Sequence, residues 1–198
     1  MSTDSKIDGD RRRLIVATAA VGGIGAITAM VPFLSSMLPS ERAKAAGAPV
    51  EVDIGSIGPG QMITVEWRGK PVWVLNRTEE MLSTLPKLDS AVADPKSEVD
   101  LQPESCKNET RSIKPNMWVA VGICTHLGCS PSSKFQKGPA DGMAADWLGG
   151  FLCPCHGSTF DFAGRVFKKM PAPTNLEVPP YTYLTDTRIL IGENKKGA

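Results

Sequence analysis

Two short loops hold four of the five cysteines and both histidines of a 198-residue chain. They read Cys124-Thr125-His126-Leu127-Gly128-Cys129 and Cys153-Pro154-Cys155-His156-Gly157-Ser158. Each offers a thiolate and an imidazole close together, Cys124 with His126 and Cys153 with His156, and each carries one further cysteine, Cys129 or Cys155. Two soft sulfur donors and two imidazoles suit a metal centre, and a metal held this way obliges the fold to bring the loops together.

Two kinds of centre fit that donor set. A structural zinc takes two cysteines and two histidines tetrahedrally and does nothing further. A [2Fe–2S] cluster with cysteines on one iron and histidines on the other is a redox group of raised potential. Zinc knuckles usually spend every local cysteine on the metal, whereas here each loop has one to spare.

The loops resemble the signature C-x-H-x-x-C and C-x-C-H-x-S of Rieske iron–sulfur proteins, in particular the disulfide-bearing type of the cytochrome bc1 complex. The resemblance implies that Cys124 and Cys153 bind one iron, that His126 and His156 bind the other, and that Cys129 and Cys155 form a disulfide. A disulfide persists in an oxidising compartment. The resemblance extends to an N-terminal anchor, a tether, a Gly-Lys-Pro-Val hairpin and the segment Pro171-Ala172-Pro173, with Pro171 and Leu127 expected to shield the cluster. For Leu127, ordinary loop packing is an equal account. The chain departs at two places. Phe160 stands where many members carry a tyrosine that hydrogen-bonds a ligand sulfur, and losing that bond lowers the potential. Met170 stands where a glycine often precedes the proline segment. Ser158 remains, to bond a bridging sulfide or to satisfy loop backbone.

At the other end, the polar, disordered Met1–Asp10 and then Arg11, Arg12 and Arg13 precede an apolar run, Leu14–Leu38. At about 1.5 Å per residue it spans a hydrocarbon core of roughly 30 Å. It reads as a retained transmembrane anchor at 14–38 after a cytoplasmic tail at 1–13, the alternative being a cleaved signal, for which the run is long. Gly22, Gly23 and Gly25 permit close helix contact in lipid. Lys6 and the arginines outweigh Arg42 and Lys44 beyond the run, so the N-terminus is expected in the cytoplasm of a bacterial inner membrane and the head in the periplasm. Arg12-Arg13 also resembles a twin-arginine export signal. Residues 39–49, rich in Ala and Gly, read as a linker, either a passive spacer or, as the resemblance implies, a hinge at Ala45-Ala46-Gly47-Ala48 that lets the head move between redox partners.

The head, 50–198, is expected to be mainly β, an antiparallel sandwich or barrel with a cluster-binding part at about 117–173. Strands are read at Val50–Ile54, Gln61–Trp67 and Pro71–Asn76, the last two a hairpin turning at Arg68-Gly69-Lys70. Thr78 caps a short helix to about Leu85. Leu85–Lys114, broken by Pro86, Pro95 and Pro103, reads as loop, with Cys106 a free thiol of no assigned role. Met117–Ile123 and Gly149–Leu152 read as strands delivering Cys124 and Cys153, followed by strands at Phe160–Phe167, Tyr181–Leu184 and Arg188–Ile191.

Net charge is +1, which gives no polyanion-binding field and no support for a nucleic-acid partner. The implied activity is quinol oxidation, the first electron passing through the cluster to cytochrome c1 while cytochrome b takes the second, in a dimeric complex with membrane lipid around the anchor. Two neutral imidazoles on one iron couple electron uptake to proton uptake, and His156 is the expected quinol-side catalytic ligand. A small Rieske subunit of an arsenite-oxidase-like enzyme and a colourless zinc module are the competing readings.

Overall fold

The structure, a computed structural model, describes residues 8–193; the expectations for Met1–Ile7, Lys6 among them, lie outside the described residues. A 27-residue helix, α1 (Gly9–Ser35), is long and apolar enough to cross a membrane. It starts ahead of the expected Leu14 and takes in all three arginines, because the Asp8 carboxylate accepts from the Asp10 and Arg11 backbone N–H groups and caps the first turn. That corrects the reading of Asp8–Asp10 as disordered. Its apolar side chains, Val21 and Ile27 among them at about 70% exposed, point outward from the helix. The expected unstructured linker contains a six-residue helix, α2 (Glu41–Ala46), started by the Ser40 hydroxyl accepting from Ala43 N–H and braced by a Lys44–Glu41 pair at 2.7 Å.

The head is built from three antiparallel three-stranded sheets. Strands β1 (Val50–Asp53), β8 (Tyr181–Thr185) and β9 (Arg188–Ile191) form one, in the order β1-β9-β8. Strands β2 (Met62–Trp67), β3 (Lys70–Asn76) and β4 (Met117–Val121) form the second in sequence order. The third is small: β5 (Ser132–Lys134), β6 (Gly150–Leu152) and β7 (Thr159–Phe160). The expected hairpin at Arg68-Gly69 is present, and Thr78 caps a helix, α3 (Glu79–Leu82), shorter than the expected run to Leu85.

The second sheet divides the core. Because side chains alternate across a strand, Val72, Val74, Val119 and Val121 face the first sheet together with Val52, Ile189 and Ile191. Trp73, Leu75, Trp118 and Ala120 face the other way, onto Phe151 and Phe160 of the small sheet and Phe162 just beyond it. The register obeys this division, pairing Val72 with Val121 and Trp73 with Ala120. On the second side Trp73 stacks on Phe151 at 4.8 Å and 14°, which fixes the small sheet against the large one.

One expectation needs correction. Phe160–Phe167 is not one strand: after β7 the Asp161 carboxylate accepts from Ala163 and Arg165 N–H, both at 2.9 Å, and turns the chain back so that Phe160 bridges Val166. Leu85–Lys114 contains two short 3₁₀ turns and is pinned from inside. Arg77 donates to the carbonyls of Thr110, Pro115 and Phe162 and to the Ser112 hydroxyl. Arg111 donates to Ala163 O and Gln102 Oε1, and Arg165 reaches Leu85 O. Cys106 lies fully buried in the first core, where burial pushes its thiol pKa up.

Candidate metal centre

Strand β4 ends at Val121, three residues before Cys124, and β6 ends at Leu152, directly before Cys153. The first loop runs on into β5, the second is the turn of the β6–β7 hairpin, and β5 pairs with β6, so both loops emerge at one end of the small sheet. They are built alike. In the first, Cys124 N–H donates to Cys129 O at 2.7 Å and Gly128 N–H to Cys124 O at 3.1 Å. In the second, Cys153 N–H donates to Ser158 O at 2.8 Å and Gly157 N–H to Cys153 O at 2.9 Å. Gly128 and Gly157 both take the left-handed conformation, φ 84° and 77°, that lets so short a loop close without a Cβ clash.

This twofold resemblance places the donors together. Cys129 and Cys155 are disulfide-bonded across 26 residues, tying loop to loop. Cys124 and Cys153 are free thiols, each 2% exposed. The sulfurs of Cys129, Cys153 and Cys155 lie within 4.8 Å of one another, but two of the three are consumed by the disulfide, which leaves the Cys153 thiol as the one of that trio available to a metal. The imidazoles of His126 and His156 meet edge to face with centroids 4.6 Å apart.

A [2Fe–2S] group fits this donor set. Nδ1 of His126 is buried with no hydrogen-bond partner among the described residues, a costly position for an imidazole nitrogen unless it ligates. Burial pushes the Cys124 thiol pKa up, while the His126 backbone N–H and the Ser158 hydroxyl act in the opposite sense. A bound cation would deprotonate such a thiol outright.

The proline segment crosses both loops and is tethered to each. Ser158, fully buried, accepts from Ala172 N–H at 2.9 Å, and the Thr125 hydroxyl donates to Thr174 O at 2.8 Å. At the far end of the strap Asn175, 2% exposed, accepts from Val166 N–H and donates to Asp94 O. Leu127 projects from the tip, 72% exposed, and Pro171 and His156 are also exposed. Phe160 is fully buried in the second core, and Met170 packs against that core after Lys169, which takes φ 62°. Thr125 and Asn175 escaped the sequence reading, for their partners are backbone atoms distant along the chain.

Comparison with known proteins agrees with this geometry. Residues 50–181 match the Rieske [2Fe-2S] domain, and residues 1–40 match the family described as Ubiquitinol-cytochrome C reductase Fe-S subunit TAT signal. The ubiquinol-cytochrome c reductase iron-sulfur subunit of Allochromatium vinosum is 59% identical over 188 residues, 95% of this chain and 90% of that protein. The subunit of the same name from Bradyrhizobium diazoefficiens is 41% identical over 194 residues, 97% and 100% of the two chains. That from Rhodospirillum rubrum is 42% identical over 180 residues, 90% and 89%. With a domain match across most of the chain and such relatives along nearly all of it, this protein belongs to the family of Rieske iron–sulfur subunits of ubiquinol-cytochrome c reductase.

Proposed function

We propose that this chain takes one electron from a membrane quinol and passes it to cytochrome c1, cytochrome b taking the second, within a dimeric quinol:cytochrome c oxidoreductase. The observation that carries the reading is the convergence of two thiol-plus-imidazole loops on a buried, unpartnered His126 Nδ1. Cys124 and Cys153 hold one iron and His126 and His156 the other. The [2Fe–2S] group so held supplies a one-electron acceptor at the surface of the head.

The chain's own residues do the rest. His156, exposed at the tip, would accept a hydrogen bond from the quinol hydroxyl at an imidazole nitrogen and take the proton there. Leu127 and Pro171, both exposed beside it, keep water from the ligand end and give the tip an apolar rim for docking on cytochrome b. Ser158, anchored through Ala172, turns its hydroxyl toward sulfur. The chain is a single-pass membrane protein held by α1, with the N-terminus in the cytoplasm, the head in the periplasm and lipid around the apolar helix. The segment at 39–49 lets the head travel between donor and acceptor. An arsenite-oxidase-like subunit fits less well, since the reductase subunits match along nearly the whole of this chain and residues 1–40 match the TAT-signal family of the same subunit.

Low-temperature EPR of membranes holding the complete complex, reduced anaerobically with quinol, tests this. The unaltered chain is expected to give an iron–sulfur signal, and His156→Ser to lose it together with cytochrome c reduction. A chain that reduces cytochrome c at the normal rate with His156→Ser refutes the assignment.

A further inference from the structure

Three arginines are buried in the head, and they are not alike. Arg165 is neutralised: its Nε meets Asp161 at 2.7 Å and its Nη1 meets Asp89 at 2.7 Å. Arg77 and Arg111, 2% and 0% exposed, have no carboxylate at ion-pair distance among the described residues. Every group bonded to Arg77 is a neutral carbonyl or hydroxyl, and Arg111 bonds only Ala163 O and Gln102 Oε1, with Nε left unpartnered. The acids that face them are engaged elsewhere. Asp161 spends its oxygens on Ala163 N–H, Arg165 N–H and Arg165 Nε, and Asp94 spends its own on Glu98 and Val99 N–H. Burial lowers both guanidinium pKa values to about 10, still well above neutrality, so both charges persist.

Buried charge without a contacting counter-ion is expensive, even where the Asp161 and Asp94 carboxylates favour it from farther off as they do here, and an apolar side chain of similar volume commonly serves stability as well or better. What these charges act on is set by where they are held. Their anchors, the carbonyls of Phe162 and Ala163, follow β7 immediately, and Phe160, Phe162 and Ala163 share one apolar cluster with the Cys124 and Cys153 thiols. Ser158, at the end of the same hairpin as Cys153, is four residues before Phe162. The guanidinium anchors and the ligand thiols thus belong to one buried apolar cluster.

We infer that Arg77 and Arg111 are fixed positive charges that raise the reduction potential of the metal centre by stabilising its more negative, reduced state. The inference rests on the iron–sulfur reading above. It is a second lever on the potential, acting through space where the Phe160 departure acts through a missing hydrogen bond. For a separation of roughly 15 Å and an effective dielectric constant of about 20, one charge changes the redox equilibrium about five- to sevenfold, which at 59 mV per tenfold is roughly 40–50 mV.

The test is a potentiometric titration followed by EPR on membranes holding the complete complex, with three variants. Arg111→Met removes the charge, Arg111→Lys keeps it, and Gln102→Glu sets a carboxylate against the Arg111 guanidinium, 2.9 Å from the present acceptor. Both charge-cancelling variants are expected to shift the equilibrium about five- to sevenfold toward the oxidised state, with Arg111→Lys within twofold of the unaltered chain. Unshifted potentials in Arg111→Met and Gln102→Glu overturn the inference, as does Arg111→Lys falling as far as Arg111→Met while Gln102→Glu stays put. If Arg111→Met fails to accumulate, Gln102→Glu decides alone. No iron–sulfur signal in the unaltered chain removes the cluster reading and this inference with it, whereas a normal signal at an unshifted potential overturns this inference only.

Discussion

Replacing Asn175 by alanine tests whether the proline strap is held from its far end. The Asn175 amide joins three segments remote in sequence: it accepts from Val166 N–H at 2.9 Å, donates to Asp94 O at 3.0 Å, and begins the turn that sends Leu176 N–H to Gly164 O at 2.8 Å. Alanine leaves the buried Val166 N–H without a partner, at about 1–3 kcal/mol. The half-buried Asp94 carbonyl can recover part of its bond from water, so the sum is about 3 kcal/mol. For a domain of this size each kcal/mol moves the melting temperature by about 2–4 °C, which predicts a fall of roughly 6–12 °C. Thermal scans of the full-length chain in detergent, by far-ultraviolet and visible circular dichroism, measure the fold and the metal centre together. Asn175→Asp, which keeps an acceptor for Val166 N–H but loses the donor, is expected to fall between. A loss below about 0.5 kcal/mol for Asn175→Ala would mean that the Ser158 and Thr125 tethers hold the strap unaided, and the reasoning would fail.

Three further outcomes follow from the same structure. Converting both Cys129 and Cys155 to serine frees a loop of 26 residues, worth about 3–4 kcal/mol in chain entropy; a denaturation midpoint equal to that of the unaltered chain would contradict this. Gly150 takes φ 146°, and a Cβ there would sit 2.1 Å from Phe160 O, so Gly150→Ala is expected to break the β6–β7 register and empty the site, which normal iron content in the purified variant would disprove. Changing both Arg12 and Arg13 to lysine keeps the charge but spoils the export signal, so the head is expected to stay in the cytoplasm; protease-accessible head in spheroplasts would count against that reading.

What was legible in the sequence is what depends on residue type and short spacing. The donor loops announced themselves because cysteine and histidine are scarce here and clustered there. The apolar strands β3 and β4, and the anchor, were legible because burial on both faces or in lipid leaves a continuous apolar run. What stayed hidden is polar and non-local. Arg77, Arg111 and Arg165 look like surface charges in a list of residues, since nothing near them in sequence marks them as buried. Their partners are carbonyls 33 to 85 residues away for Arg77 and 52 for Arg111. The Phe160–Phe167 misreading has a local source: apolar residues at both ends imitate a strand, while the turn between them is set by the Asp161 carboxylate accepting from two backbone N–H groups two and four residues on.

That division bears on how the site works. The candidate donors sit on loops of six residues each, too short to hold a geometry alone, and the side chains that hold those loops come from elsewhere. Thr125 and Ser158 lock the strap to the loops, Asn175 locks the strap to the turn behind β7, and the buried arginines lock that turn to Leu85–Lys114. A chain with correct loops and an altered long segment would therefore keep its signature and lose its site. Substitutions between Leu85 and Lys114 that remove a partner of Arg77 or Arg111 are the place to look for a Rieske head that binds iron yet holds it at the wrong potential.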